Sequence, residues 1–409
     1  MTSLTKSTSR KASAVAIMAT FAVGVASILL GSVSEELKAG LGINNGKLGT
    51  LVTAFYLAGL VAVMLAGPLV DRFGYKPVFI TGFAADTLGL ILLAVANSYG
   101  LALVACAFLG IGMMCLNTSG NTLLPVVLFE GKEPARASNF GNGFFGLGYV
   151  LTPLLFPLVH MFGGNYRASV LVLAVVFACF LVISAVSKFP AASSGFSLKK
   201  ALKVITQGPV IIAAAALFCY EALESSMSTW IKPYMTQAFK NAGNANAVSN
   251  AALVLSLFGV AMMIGRFASS AIKGLTAIGS KVIAGAALIA AIAIGVMVVN
   301  STVGVAATMV FIAGLVFAPI YPTILGVTDA KFDPSYYGSI FAADFFFGMI
   351  GSLTIPGIIG KMSATGNQAV QSSLGIVAVI ALILCVVGVV MGIVNKRYHS
   401  SEKKDSEEA

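Results

Sequence analysis

Charged residues are scarce in this sequence. Only 10% of its 409 residues are Asp, Glu, Lys or Arg, whereas 58% are hydrophobic and the mean hydropathy is +0.95. A soluble domain of this length needs a far more polar surface, so the composition excludes a soluble globular protein. We therefore predict a membrane protein that has the lipid bilayer as its solvent.

Signatures of catalysis and of metal binding are also missing from the sequence. It has no Gly-rich phosphate loop, its 2 histidines lie far apart, and its 5 cysteines sit inside apolar runs without paired spacing. These absences argue against an enzyme, a cofactor site, a metal site and a disulfide framework. The formal charge of +10 is not gathered in a soluble basic domain, so nucleic acid is not an expected partner.

Long apolar runs make up most of the chain instead. Each of twelve runs is long enough to cross a bilayer as a helix, and a polar stretch separates the first six from the last six. The runs cover residues 12–33, 48–70, 77–96, 101–128, 138–161, 169–186, 209–235, 248–271, 282–299, 303–327, 339–362 and 371–394.

These runs predict an all-α membrane protein, with twelve transmembrane helices in two six-helix halves at residues 1–187 and 209–395. The cytoplasmic linker at 188–208 contains the segment 198–205, which has the spacing of a short basic amphipathic helix lying on the inner leaflet. The mixed charges of the cytoplasmic tail, residues 396–409, predict disorder. Two such halves are a common architecture of secondary transporters, whose substrate site lies near the bilayer midplane.

The basic residues indicate the orientation of the chain. With the N-terminus in the cytoplasm, most of the 25 Lys and Arg residues fall on the inner side. The positive-inside rule then predicts that both termini are cytoplasmic. We expect a multi-pass monomer in the cell inner membrane, in contact with anionic lipid.

One loop carries a recognisable motif. Residues 67–76 read Gly-Pro-Leu-Val-Asp-Arg-Phe-Gly-Tyr-Lys, and a second Gly-rich segment leaves the corresponding helix of the second half at 259–274. The first resembles the loop between helices two and three of the major facilitator superfamily, whose pattern is Gly-x-x-x-Asp-Arg-x-Gly-x-Lys or Arg. Its glycines permit a tight turn, and an acid beside bases can bind neighbouring helix ends until the two halves rock apart. The resemblance implies the major facilitator fold and five gating residues: Gly67, Asp71, Arg72, Gly74 and Lys76.

Three other segments resemble one group within that superfamily, the fucose/glucose/galactose proton symporters. Residues 220–224, followed by Trp230 and Tyr234, resemble the group's seventh helix, while 117–121 resembles its fourth helix and 317–323 its tenth. This resemblance implies proton symport of a monosaccharide. The chain departs from the group because neither its first nor its fourth apolar run contains an Asp or Glu.

Four acids lie well inside the predicted spans: Asp86, Glu221, Glu224 and Asp344. A carboxylate in a low-dielectric site binds a proton more readily than it does in water, and this is the physical basis of proton coupling. Glu224 is the first candidate for the coupling acid because the family pattern coincides there with a polar helix face; Glu221 and Asp344 follow. Glu221 could instead make an interhelical hydrogen bond, and Asp86 is better explained as a structural partner for a hydroxyl or a basic group.

Polar and aromatic side chains are the candidates for substrate binding. Asn117 and Asn121 share a helix face, and their amides suit sugar hydroxyls, although they could equally bond another helix. Ser228 continues the polar face that begins at Glu221 and Glu224. Tyr321 and Trp230 could stack on a sugar ring, but Trp230 could instead be an interfacial anchor.

Fixed positive charge is not expected in the middle of any span, because Arg266 and Lys232 fall near helix ends. Carriers of phosphorylated or dicarboxylic substrates need such a charge, so a neutral polar solute or a cation fits better. We predict import of a neutral polar solute, a monosaccharide, by proton symport with alternating access; sodium in place of the proton stays open. The alternatives are a proton-coupled exporter of lipophilic cations or drugs and, from another class, a transporter-like membrane sensor or lipid-handling protein.

Overall fold

The computed structural model describes residues 6–43, 45–190, 198–300, 302–363 and 369–407. This part of the chain is helical apart from turns and short connections, and it contains no β-strand. The helices before the linker are α1 Lys6–Ser32, α2 Ser34–Leu41, α3 Asn45–Phe73, α4 Tyr75–Val95, α5 Tyr99–Val127, α6 Pro134–Met161 and α7 Tyr166–Val186. The linker contains α8 Leu198–Ile205, and the helices that follow are α9 Gly208–Asn241, α10 Ala247–Ser270, α11 Leu275–Val299, α12 Val303–Phe317, α13 Ile320–Asp329, α14 Tyr337–Ser363, α15 Ala369–Ser373 and α16 Gly375–Glu407.

Eleven candidate spans in this part of the chain are long and apolar enough to cross a membrane. A twelfth is α6, which bends between Thr152 and Leu154. Large apolar side chains such as Leu65, Val175, Leu253 and Val386 stay more than half exposed, and this suits a surface that faces lipid. The predicted all-α membrane fold is therefore confirmed.

Two sequence-based expectations differ from the structure. The predicted run 303–327 is a single span built from two helices, because the chain breaks at Ala318 and Pro319, where proline has no N–H to donate. The tail from Lys396 was predicted to be disordered. Instead, α16 continues through it and ends at Glu407.

Contacts group the chain into two compact units. The first consists of Met1–Gly131, Phe144–Ala201 and Asp333–Ala342, and the second of Lys132–Gly143, Leu202–Phe332 and Ala343–Ala409. Each unit therefore includes a short segment from the other predicted half. The start of α6 belongs to the second unit, and the start of α14 belongs to the first.

Glycines allow close helix packing within each unit. In the first, Gly110 of α5 lies against the backbone of Phe55 in α3, and in the second, Gly351 of α14 lies against the backbone of Phe218 in α9. Lipid supplies no hydrophobic driving force between spans, so van der Waals contact through such small residues is what holds them together. Large buried side chains, including Phe79, fill the remaining space in the first unit.

The substitution Gly110→Ala is expected to lower stability, because the new Cβ would overlap the Phe55 carbonyl oxygen. Overpacking of this kind costs about 1–3 kcal/mol, which exceeds the gain in helix propensity of about 1 kcal/mol. Gly100→Ala, in the first turn of the same helix, is the matched control because no atom lies within 4 Å of its Cβ position. Thermal melts followed by size-exclusion chromatography in detergent provide the measurement. Equal melting temperatures for the two variants would contradict this packing argument.

Candidate functional site

The motif at 67–76 joins the end of α3 to the start of α14 within the first unit. The Asp71 carboxylate is buried and accepts hydrogen bonds from the Gly338 N–H at 2.9 Å, the Ser339 N–H at 2.7 Å and the Ser339 hydroxyl. Gly67 lies so close to the Gly338 carbonyl that no side chain would fit. These donors form the N-terminal turn of α14, where a helix attracts negative charge. Asp71 is thus an N-terminal cap for a helix more than 260 residues later.

Gly74, Arg72 and Lys76, the remaining predicted gating residues, make no comparable contact within the part of the chain that the structure describes. Gly74 has φ 82° at the N-cap of α4, a conformation that favours glycine. Arg72 is exposed, with its guanidinium carbon 5.1 Å from the centroid of the Phe73 ring, and Lys76 is also exposed. The gating role of all five residues remains a prediction.

A second carboxylate caps a helix in the other unit. Glu133, just before α6, accepts a hydrogen bond from the Gly274 N–H at 2.9 Å and lies 3.4 Å from the Thr276 hydroxyl at the start of α11. Arg136 donates from Nε to the Ser270 carbonyl oxygen at 2.9 Å, at the end of α10. Glu133 was not predicted from the sequence. The Gly-rich segment 259–274, which is similar to 67–74, was the available signal.

The central acids lie on α9 in the second unit. Glu224 Oε2 is 4.0 Å from Arg266 Nη2, and the Glu224 side chain is 22% exposed whereas that of Arg266 is 3% exposed. Glu221 accepts a hydrogen bond from the Ser352 hydroxyl of α14 at 3.1 Å. The two acids therefore have different nearest partners, Arg266 for Glu224 and the Ser352 hydroxyl for Glu221, although Glu221 also interacts electrostatically with Glu224 and Arg266.

Arg266 is the functional candidate that sequence analysis missed. Its guanidinium donates to the Ala318 carbonyl, the Asn142 carbonyl and the Tyr220 hydroxyl, each at 3.4 Å. Arg266 lies near a helix end, as the sequence indicated, one turn before the end of α10. Its long side chain is nevertheless buried, so a fixed positive charge that the sequence did not predict lies beside Glu224. The signal was Glu224 itself, since a carboxylate inside a membrane protein requires a partner.

A cluster of aromatic rings begins at Tyr220, whose hydroxyl accepts a hydrogen bond from Arg266. Tyr220 lies one turn before Glu224, and its ring centroid is 5.8 Å from that of Tyr321 and 6.3 Å from that of Phe317. Tyr321 in turn makes an edge contact with Phe345 at 6.1 Å. Of the residues predicted to bind substrate, Tyr321 therefore belongs to the ring cluster that adjoins the ion pair through Tyr220.

The remaining candidates on α9 lie further along the helix. The Trp230 indole N–H donates to the Pro356 carbonyl at 3.1 Å and so connects α9 with α14. Ser228 is half-buried, one turn after Glu224. Their predicted contact with substrate stays a prediction.

The two asparagines bond to each other in the first unit. Asn121 Nδ2 donates to the Asn117 side-chain oxygen at 2.7 Å and to its backbone oxygen at 3.0 Å, and both residues are buried. This pairing lies within one helix, α5, so it is not the interhelical bond that was the alternative to substrate binding. Their role in binding substrate stays a prediction.

Asp86 and Asp344 are buried acids of another kind. Neither has a hydrogen bond to its carboxylate oxygens among the residues described by the structure. Asp86 packs on the Gly112 backbone, so the hydroxyl or basic partner predicted for it is not observed in that part of the chain. Asp344 interacts electrostatically with Asp329, and its coupling role stays a prediction.

Comparisons with known proteins agree with this architecture. The family model for the Major Facilitator Superfamily matches residues 15–356. The chain is 24% identical over 312 residues to the vesicular acetylcholine transporter of Homo sapiens. The match covers 72% of this chain and 56% of that protein, so the chain spans about half the length of that relative. It is 28% identical over 141 residues to multidrug resistance protein D of Escherichia coli strain K12, covering 33% of this chain and 34% of that one.

The same fold occurs in solved structures. A crystal structure of the E. coli fucose:proton symporter FucP has a TM-score of 0.73 at 21% identity, covering 93% of this chain and 98% of that one. This likeness extends to both predicted halves, although at this identity it concerns the fold alone. The extent of the family match decides the assignment: the chain belongs to the Major Facilitator Superfamily.

Proposed function

We propose that this protein is a proton-coupled symporter that imports a small polar solute of the monosaccharide class by alternating access. It would act as a monomer in the cell inner membrane, with both termini in the cytoplasm. The observation that carries the proposal is the pair formed by Glu224, which is partly exposed, and Arg266, which is buried. Proton binding to Glu224 would break this ion pair, so protonation changes the charge balance of the second unit.

Two further points support a sugar as the solute. Residues 220–224 resemble the seventh helix of sugar proton symporters, and the fold is that of a fucose:proton symporter. Tyr321 lies in the ring cluster that adjoins the ion pair through Tyr220, where a ring could stack on the apolar face of a sugar.

A second candidate function is proton-coupled export of organic cations. Two carboxylates, Glu221 and Glu224, lie close to a single arginine, and this excess of negative charge would suit a cation. Two relatives are a vesicular acetylcholine transporter, named for an organic cation, and a multidrug resistance protein.

Uptake into proteoliposomes distinguishes the two functions. We expect labelled sugars to accumulate when the outside is one pH unit more acidic, by up to about tenfold for one proton per sugar, and to equilibrate without accumulation when the gradient is absent. Protein-free liposomes and the Lys240→Gln variant, which changes an exposed charge in the last turn of α9, are the controls. Sugar uptake that ignores the proton gradient would contradict symport. Gradient-driven movement of a lipophilic cation, without movement of sugar, would support the exporter.

A further inference from the structure

We infer that the Tyr220 hydroxyl competes with Glu224 for the guanidinium of Arg266 and thereby keeps their ion pair loose enough for a proton to open it. Tyr220 is then a positioning residue for proton binding, because it acts through Arg266 and not on the proton itself. The inference rests on the proposed proton symport and deepens it, since it explains how an acid held in an ion pair within a span can still take up a proton.

The geometry at one nitrogen atom carries the inference. Arg266 Nη2 donates to the Tyr220 hydroxyl oxygen at 3.4 Å and lies 4.0 Å from Glu224 Oε2. The distance to the carboxylate is well beyond the value of about 2.7–2.9 Å for a short charge-assisted bond. Tyr220 and Glu224 are one helical turn apart on α9, so both can reach the same side of Arg266. The neutral phenol is therefore the nearer of these two acceptors.

The ring of Tyr220 is held firmly in this position. Its side chain is fully buried, and its ring centroid lies 5.8 Å from that of Tyr321 and 6.3 Å from that of Phe317. These rings come from α13 and the end of α12, so they fix the phenol from outside its own helix. The hydroxyl thus remains where Arg266 meets it.

Arg266 keeps partners when Glu224 loses its charge. Its Nε and Nη1 donate to the backbone carbonyls of Ala318 and Asn142, while Nη2 donates to Tyr220. Proton binding to Glu224 leaves all of these acceptors in place. Opening the ion pair therefore costs less than it would for an arginine whose single partner is a carboxylate.

Other ionisable groups also act on this ion pair. Glu221 interacts electrostatically with Glu224 and Arg266, and its carboxylate accepts a hydrogen bond from the Ser352 hydroxyl at 3.1 Å. Tyr321, from α13, also interacts electrostatically with Arg266. Both groups are kept when the phenol hydroxyl is removed, so a comparison with and without that hydroxyl isolates the competition.

The Tyr220 hydroxyl has two effects of opposite sense. Its oxygen draws Arg266 away from Glu224, whereas its own O–H interacts with the Glu224 carboxylate. The first effect is the larger, because a bond between guanidinium and carboxylate joins two charges and a bond between phenol and carboxylate involves only one. Removing the hydroxyl therefore tightens the ion pair, and a higher proton concentration is needed to open it.

Tyr220→Phe tests the inference without any solute, since it removes one oxygen and keeps the ring. Infrared spectroscopy of the protein in liposomes follows the Glu224 carboxylate band during a pH titration, and the band is identified by its absence in Glu224→Gln. We expect the transition in Tyr220→Phe to lie about one pH unit further toward acid than in the wild type, which is a tenfold higher proton concentration. A transition at the wild-type pH, or one moved toward alkaline pH, would overturn the inference.

Tyr234→Phe is the matched control on the same helix. Tyr234 is also buried, but its hydroxyl donates to the Met297 carbonyl of α11 at 3.1 Å. Its loss removes one buried hydrogen bond and leaves the contacts of Arg266 in place, so the transition should stay at the wild-type pH. An acid shift as large as that of Tyr220→Phe would show a general effect of packing and contradict the competition.

Replacing Tyr220 with 3-fluorotyrosine covers the case in which Tyr220→Phe does not elute as a single folded peak in size-exclusion chromatography. Fluorine withdraws electron density from the phenol oxygen, which becomes a weaker acceptor for Arg266 while the side chain almost keeps its shape. The transition should move toward acid by a fraction of one pH unit. An unmoved transition in the fluorinated protein would count against the inference.

Exchange of labelled galactose separates the inference from the proposed function. With equal pH on both sides of the proteoliposomes, wild-type exchange should slow as the pH rises. Tyr220→Phe should reach the same rate in acid but slow at a pH about one unit lower. A rate reduced equally at every pH would indicate a purely structural role and overturn the inference. If wild-type exchange ignores pH, the proposed symport fails, while the infrared transition still decides the role of Tyr220.

Discussion

Glu224→Gln is expected to abolish accumulation of solute against its gradient while exchange of solute across the membrane continues. Glutamine has almost the shape of glutamic acid but cannot bind and release a proton at this position. With the outside one pH unit more acidic, the accumulation ratio should fall from as much as about ten to one. Uptake and counterflow in proteoliposomes measure the two activities separately.

Glu221, the neighbouring acid, provides a matched comparison for Glu224. Glu221 lies on the same helix but accepts its hydrogen bond from Ser352, and a glutamine can accept that bond equally well. We therefore expect Glu221→Gln to retain accumulation. If Glu221→Gln lost accumulation and Glu224→Gln kept it, the order of the two acids proposed from both sequence and structure would be reversed.

Asp71→Asn is expected to reduce the rate of transport at least about tenfold. The Asp71 carboxylate receives three hydrogen bonds from the first turn of α14, and a bond to a charged group contributes about 1.5–3 kcal/mol. An asparagine turns an amide group with its own donors toward two N–H groups and also loses the attraction to the helix dipole. The equilibrium between conformations should therefore shift away from the one described by this structure.

Hydrogen exchange provides a direct measurement of the lost contact. The amides of Gly338 and Ser339 should exchange faster in Asp71→Asn, together with the slower uptake. Asp333→Asn is the matched control, because Asp333 caps the neighbouring short turn at Ser335 and does not contact Asp71 directly in the hydrogen bonds described. Unchanged exchange at residues 338–339 in Asp71→Asn would contradict the capping role.

The main features of the fold could be predicted from the sequence. A bilayer permits only spans whose backbone bonds are satisfied internally, so long apolar runs predict helices directly. The break at Pro319 and the helical tail after Lys396 were not predicted. Both depend on whether neighbouring segments extend or interrupt a helix, and composition does not decide that.

The candidate site could be predicted only in part. Glu221 and Glu224 stand out because a carboxylate in an apolar helix needs an explanation. Arg266 did not stand out, since its position near the end of α10 suggested contact with water, whereas its side chain extends into the interior of the unit. The direction of a long side chain depends on the helices packed around it, and a sequence position alone does not contain that information.

The sequence by itself determined that this protein is a helical membrane protein with a motif centred on Asp71 and two acids on one helix. It did so because the energetic cost of polar groups in lipid makes apolar length and isolated carboxylates directly visible. Only the tertiary structure decided the partners: Gly338 and Ser339 for Asp71, Ser352 for Glu221 and Arg266 for Glu224. These residues are far apart in the chain, and helix packing alone brings their side chains within bonding distance.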